Sequence, residues 1–259
     1  MAKSAAKPQP KKPAKQKAKA AAAPKRRKRA AKPVPRRYHP GRPIDCEEAL
    51  AEATAALLAI DPEAVGRMVE IGGPPPLRRR EPGFPGLAAI IVSQQVSVAS
   101  ANAIYGRLEQ AFETLDAVSL LAAEDAALRA CGLSTPKMKA LRALARAIAE
   151  EGLDLAALAH KDALEAHDAL IKVSGVGPWT ADIFLLFCLG HPDAFPAGDL
   201  ALQEAAKLAL DLKTRPDAAK LEKIAERWRP YRGVAARMLW AYYRVAKQRS
   251  GMALANGSE

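Results

Sequence analysis

Aromatic side chains are scarce in this chain, at 5% of 259 residues. Ala and Leu dominate its middle, so a helical protein is the first expectation. No run of about 20 apolar residues occurs, so the sequence offers no candidate membrane-spanning helix. Cys46, Cys131 and Cys188 are odd in number and far apart. They form no CxxC metal site and suggest reduced thiols in an intracellular protein. The four histidines, His39, His160, His167 and His191, show no metal-ligand spacing, and no metal is expected. His191 reads as a turn residue. The first 44 residues contain no acid and no apolar h-region of the kind a secretory signal carries.

What the start does contain is charge. Residues 1–44 hold 16 Lys/Arg, whereas the remaining 215 residues carry 24 basic and 28 acidic side chains, a net of −4. The formal charge of +12 therefore belongs to the tail. Low complexity keeps such a segment from forming a core, and disorder is expected over 1–44. Its lysines and arginines suit a non-specific polyanion tether that releases counterions from phosphates; a solubilising or targeting extension is the alternative. The folded part has to hold any nucleic acid through placed contacts.

Beyond the tail the chain is enough for one substantial domain, or two small ones sharing a core. Apolar residues recur at helical spacing from Cys46 to Leu58, and Asp61-Pro62 opens another helix. The cluster Gly72-Gly73-Pro74-Pro75-Pro76 is a breaker. A second helical block opens after Pro85 and runs toward Leu108. Helices are then predicted near 116–121, 124–130, 136–151, 154–158, 162–172, 178–189, 200–211, 217–227 and 231–249. No period-two strand and no solenoid repeat is present, so the fold class is all-α.

The most informative run is Leu170-Ile-Lys-Val-Ser-Gly-Val-Gly-Pro-Trp-Thr-Ala181. A helix ends, two glycines follow one residue apart, and Pro178 opens a new helix at the position proline suits best. Gly175 and Gly177 are free to take positive φ and let a backbone approach closely. The loop then aims free amides outward at a helix N-terminus, which is an anion site. An ordinary αα-turn has the same local pattern.

Four further marks turn the balance: Ile91-Val-Ser-Gln-Gln-Val-Ser97, Gly132-Leu-Ser with Lys139 downstream, Phe195-Pro-Ala-Gly-Asp199, and Trp228-Arg-Pro-Tyr-Arg232 followed by Trp240. In this order they resemble the helix-hairpin-helix DNA glycosylase superfamily, which includes endonuclease III and the 3-methyladenine DNA glycosylases II. The resemblance covers about Asp61 to Tyr243 and is strongest to the alkylation-repair branch. It implies a two-lobed fold over 45–250, with lobe 1 from about 45–75 plus 175–250 and lobe 2 from about 85–170. The disordered basic tail precedes it, and residues 251–259 are expected to be a disordered C-terminus. No extra N-terminal β-domain is expected.

Site roles come with the resemblance. Asp199, 22 residues past Gly177, is the implied catalytic carboxylate. A fixed anion beside C1′ stabilises the positive sugar of glycosidic cleavage and can orient the attacking water. Capping the helix that begins at Leu200 is its bland role; a helix N-terminus favours negative charge, so the two are compatible. Trp179 and Trp240 match base-pocket aromatics, where a cationic alkylpurine would gain cation–π attraction; each is equally a candidate core residue. Gln95 matches the residue that fills the gap left by an extruded base, with local helix capping as the alternative. Ser174, Gly175, Val176, Gly177 and Thr180 would form the phosphate-binding hairpin, aided by a monovalent cation when DNA is bound. Lys137 and Lys139 are candidate phosphate contacts. Trp228, Phe184, Tyr242 and Tyr243 read as packing residues. Related lyases carry Lys where this chain has Trp179, and a four-cysteine cluster is missing, since only Cys188 lies past the hairpin. Ile183 stands where relatives often have Tyr, which loosens any inference about the preferred base.

The expectation is a monomeric, monofunctional glycosylase that needs no cofactor and removes alkylated bases such as 3-methyladenine from double-stranded DNA. It would work in the cytoplasm on the nucleoid of a bacterium, or in the nucleus of a eukaryote, with no membrane involved. Alternatives are a glycosylase for uracil, oxidised or mismatched bases, a non-enzymatic helix-hairpin-helix DNA binder, and a tail-driven RNA or chromatin binder.

Overall fold

The computed structural model describes residues 41–256, with side chains through residue 248. The expected tether over residues 1–40 lies outside that range. All described residues fall within one compact unit, and all regular structure among them is helical. No helix among them is long and apolar enough to cross a membrane.

Three short-range signals set the first elements. Helix α1 (Glu47–Ile60) opens with Glu47 and Glu48 in its first turn, where the positive end of the helix dipole favours them. Asp61 ends α1 and caps α2 (Pro62–Gly72): its carboxylate accepts from the Ala64 amide at 3.2 Å, and Pro62 supplies the first helical residue. The same Asp61 accepts the indole N–H of buried Trp228 at 2.9 Å. Ile44, inside the expected tail, is instead buried, and its amide donates to the Gly190 carbonyl at 2.7 Å.

Helix α3 (Gly83–Ser93) is apolar nearly all round, burying Phe84, Leu87, Ala88, Ile90, Ile91 and Val92. It packs on α4 (Val98–Ala111) and α7 (Thr135–Ala149). Between them lie two short helices, α5 (Ala117–Ala122) and α6 (Asp125–Ala130). Arg142 of α7 gathers the open carbonyls at the end of α5, donating to Ala123 O at 2.7 Å, and reaches Asp125 at 2.8 Å. The helix expected at 154–158 is a 3-10 turn at Ala157–His160. Asp154 accepts from the amides of Ala156 and Ala157, and this side-chain turn competes with an α-helical start.

Helix α8 (Ala163–Ile171) leads through the hairpin into α9 (Pro178–Phe187), which packs on α3 and α8. Helices α10 (Leu200–Ala209), α11 (Ala218–Ala225) and α12 (Arg232–Asn256) complete the chain. Helix α12 packs on α2 and α10. A Cβ on Gly72 would come within 2.6 Å of the Tyr242 amide, so glycine permits this close crossing of α2 and α12. Thus α1, α2 and α10–α12 form one lobe and α3–α7 the other, with α8 and α9 at the seam. Residues 251–256, expected to be disordered, continue α12, in keeping with the helix formers Met252, Ala253, Leu254 and Ala255.

The loop from α9 to α10 is anchored by a buried ion cluster. Arg229 and Arg232 both pair with Asp193, and Glu226 pairs with both arginines. His191 is buried beside it. Its Nδ1 accepts from the Asp193 amide at 3.1 Å and its Nε2 donates to Lys161 O at 2.9 Å, the neutral tautomer that burial favours. His191 therefore holds the loop that delivers Asp199.

Candidate active site

The hairpin and Asp199 both reach the seam through local chemistry. Gly175 sits at φ +90°, and a Cβ there would come 2.3 Å from the Cβ of Ala140 on α7. Gly177 differs from expectation: it is extended at φ −84°, caps α9, and has open space around it. Only the first glycine is required by conformation; the second leaves room in front of the helix. Ser174, Gly175 and Gly177 are exposed. The Val176 amide is already bonded to Val173 O at 3.0 Å and its side chain is buried, so it presents no donor to a phosphate. Thr180 is also buried, its hydroxyl accepting from Gln94 Nε2 at 2.9 Å. Gln94 thereby ties the end of α3 to the start of α9, a role that sequence reading did not separate from that of its neighbour.

Gln95 is exposed and takes φ +55°, one of two non-glycine residues with positive φ among those described. Such a conformation costs about 1–2 kcal/mol and turns the chain sharply between α3 and α4. Val96 and Val98 beside it are exposed apolar residues, so the tip is apolar around a polar end. Lys139 is exposed. Lys137 is half-buried, and its ammonium donates to Val92 O at 2.6 Å, closing the end of α3; burial lowers its pKa. This contact redirects Lys137 from the phosphate role expected of it to a structural one.

Asp199 ends a turn in which its own amide donates to Pro196 O at 2.9 Å and Gln203 Nε2 holds Ala197 O at 2.9 Å. Its carboxylate caps α10, accepting from the Leu202 amide at 2.9 Å. Two indoles meet the same group: Trp179 Nε1 donates to Oδ2 at 3.0 Å and Trp240 Nε1 to Oδ1 at 3.3 Å. The alternative roles of cap and cleft carboxylate therefore coexist in one side chain. The tryptophans are neither plain core nor plain stacking plates, because their N–H tips orient the carboxylate. Trp179 is 39% exposed, and Trp240 is half-buried and stacks on Phe187 with centroids 5.7 Å apart.

In front of this group lies a pocket of about 340 Å³. Its wall is Asp199, Trp179, Trp240, Ile183 and Phe187, with Pro76 and four arginines, Arg78, Arg80, Arg237 and Arg244. The sequence reading missed all four arginines and Phe187. One signal was present: Arg237, Trp240 and Arg244 fall at i, i+3 and i+7 on α12, which is one helical face. Among the described residues no cluster is arranged to hold a metal.

With this geometry in hand, likeness to known proteins is informative. Residues 88–230 match the model of the HhH-GPD superfamily base excision DNA repair protein. An alignment 210 positions long, covering 71% of this chain, is 33% identical to the probable bifunctional transcriptional activator/DNA repair enzyme AlkA of Mycobacterium tuberculosis; the chain spans only 40% of that relative's length. The DNA-3-methyladenine glycosidase of Bacillus halodurans superposes with a TM-score of 0.68 at 30% identity, over 78% of this chain and 91% of that one. The Schizosaccharomyces pombe 3-methyladenine DNA glycosylase Mag1, solved with abasic DNA, gives a TM-score of 0.60 at 25% identity, over 73% of this chain and 95% of that one.

Proposed function

Since this chain belongs to the HhH-GPD superfamily of base excision DNA repair proteins, we propose that it is a monofunctional DNA glycosylase that hydrolyses the N-glycosidic bond of alkylated bases in duplex DNA. The observation that carries this reading is the convergence of one carboxylate, Asp199, and two indoles on a pocket of base size. Relatives named for 3-methyladenine support the alkylated class. In this reading the exposed hairpin and the open amides at the start of α9 hold a backbone phosphate. The base enters the pocket, and Asp199 faces C1′. The carboxylate offsets positive charge on the sugar as the bond to the base breaks and orients the water that replaces it.

A lyase requires an amine at C1′. Among the described residues no lysine lines the pocket, and Trp179 occupies the first turn of α9 where the resembling lyases carry theirs. The expected result with duplexes that each carry one modified base is release of free base with an unbroken strand and no borohydride-trapped adduct on a denaturing gel. A turnover-dependent adduct would overturn the monofunctional reading, and no base released from any duplex would overturn the glycosylase reading itself.

Gln95 is the wedge in this scheme. Its left-handed backbone and the exposed Val96 and Val98 support insertion into a stack that has lost a base. Gln95→Ala should lower excision from a well-paired lesion about tenfold more than from a mismatched one, because the unpaired base extrudes at less cost. Equal losses on both duplexes would make Gln95 a structural residue.

A further inference from the structure

Helix α9 lines the pocket with Trp179, Ile183 and Phe187, which fall at i, i+4 and i+8 on one face. At 1.5 Å per residue the helix is about 15 Å long. The hairpin and the open amides stand at its start. At its far end lies the run Arg78-Arg79-Arg80, in the non-helical segment between α2 and α3.

Hydrogen bonds hold that run against the end of α9. The buried Arg237 guanidinium donates to Leu186 O at 2.8 Å and to Arg78 O at 3.0 Å, and the Arg80 amide donates to Phe187 O at 2.9 Å. Carbonyls that a helix end leaves open are closed in this way, and Arg237 is committed to that task. The backbone of the run is therefore fixed, while its side chains are not. Arg78 and Arg80 are exposed and line the pocket, joined by exposed Arg244, one helical turn past Trp240 on α12. None of these three side chains has a hydrogen bond or ion pair among the described residues, and exposed Glu81 beside them pairs with none of them.

Residues 45–259 carry 24 basic and 28 acidic side chains, so three uncompensated guanidinium groups at one rim are not the overflow of a basic domain. Like charges gathered without a counter-ion at a cleft mark a surface that meets an anion. The guanidinium fork of donors matches a phosphate bidentately. The hairpin amides at the other end of α9 ask for the same ligand chemistry. Phosphates of one DNA strand follow each other by about 3.4 Å along the duplex axis, so a strand crossing the pocket can meet both ends of the helix.

We infer that Arg78, Arg80 and Arg244 form a second phosphate site, which takes backbone phosphodiesters of the damaged strand on the side of the pocket away from the hairpin. Held on both sides of the extruded nucleotide, the strand resists returning that nucleotide to the stack. This rests on the glycosylase reading above and adds a contact to it.

The test measures binding of the full chain to duplexes that contain one tetrahydrofuran, a stable abasic-site analogue. One phosphate at a time on that strand is replaced by an uncharged methylphosphonate. Wild-type binding should weaken about fivefold or more at linkages on both sides of the abasic site. The triple variant Arg78→Gln, Arg80→Gln, Arg244→Gln should bind the unmodified duplex at least about tenfold more weakly. It should lose its sensitivity on one side and keep it on the other, and its slope of log affinity against log salt should fall by about two to three. Arg79, exposed but outside the pocket wall, is the matched control: Arg79→Gln removes one charge and should leave both sides sensitive. A triple variant that keeps every sensitive linkage overturns the inference whatever its affinity, because its arginines would then act through diffuse charge alone. Wild-type sensitivity on the hairpin side only overturns it as well. Base release is scored separately: if no modified base leaves any duplex, the glycosylase reading fails, while the pattern of sensitive linkages still decides the phosphate site.

Discussion

Asp199→Asn should lower single-turnover base release by at least about a thousandfold while leaving affinity for abasic-site duplex within a few-fold of wild type. The substitution conserves size, and Asn is as good an N-cap as Asp, so the contact to the Leu202 amide at 2.9 Å and the start of α10 should survive. What it removes is the charge and one acceptor. The amide nitrogen of Asn cannot accept from an indole; with Oδ1 kept on the Leu202 amide and on Trp240 at 3.3 Å, Trp179, now at 3.0 Å from Oδ2, loses its partner. Binding to abasic DNA tests the hairpin and pocket without the bond-breaking step. Thermal unfolding tests the cap. A loss of activity below about tenfold, with folding intact, would mean that Asp199 serves the helix and the tryptophans only.

The sequence was legible where the physics is local. Asp61-Pro62, the Gly-x-Gly-Pro run and Asp199 each announce a helix boundary through their own side chains, and each boundary appears where that chemistry puts it. Site residues read from the resemblance also meet: Trp179, Trp240 and Asp199 are in direct hydrogen-bond contact. The illegible parts depend on distant segments. Arg78 joins the pocket because its carbonyl is held by Arg237, and Arg80 because its amide bonds Phe187 O at 2.9 Å. Nothing in the Pro74-Pro75-Pro76 breaker indicates that the segment after it will line a site. Lys137 and Thr180 carry the side chains expected of phosphate contacts, but their polar atoms are engaged inside the fold. A motif assigns a residue to a neighbourhood; which way its polar atoms face is decided by what packs there.

The two tryptophans extend that point to mechanism. An aromatic beside a nucleobase is usually valued for its face. Here both indoles spend their one N–H on the same carboxylate, so pocket and carboxylate form a single unit. Displacing either ring should turn Asp199 as well as alter the pocket, and losses at the three positions should be less than additive.

Gly175→Ala should be the most destabilising single-methyl change in the hairpin, by about 2–5 kcal/mol. Two costs combine. A residue with a Cβ pays about 1–2 kcal/mol in left-handed backbone, and Gly175 has φ +90°. The added methyl would also stand 2.3 Å from Ala140 Cβ and 3.0 Å from its Cα. Neither atom is the far end of a flexible side chain, so α7 and the hairpin must separate, at an overpacking cost of about 1–3 kcal/mol. For a chain of this size the melting temperature should fall by about 4–20 °C. The Gly175 carbonyl now receives Gln94 Nε2 at 3.4 Å, so moving the hairpin should also loosen the junction of α3 and α9 and weaken duplex binding. Gly177→Ala is the contrasting variant. At φ −84° with open space around it, the new methyl should change stability by no more than about 0.5 kcal/mol. It would nevertheless stand in front of the α9 amides, so duplex affinity should fall with folding unchanged. Adding Ala140→Gly to Gly175→Ala should relieve the 2.3 Å contact but not the 3.0 Å approach to the Ala140 Cα, and should recover only part of the packing share, less about 1 kcal/mol for a glycine inside α7. A melting temperature for Gly175→Ala within 2 °C of wild type would show that the hairpin does not need the close contact with α7.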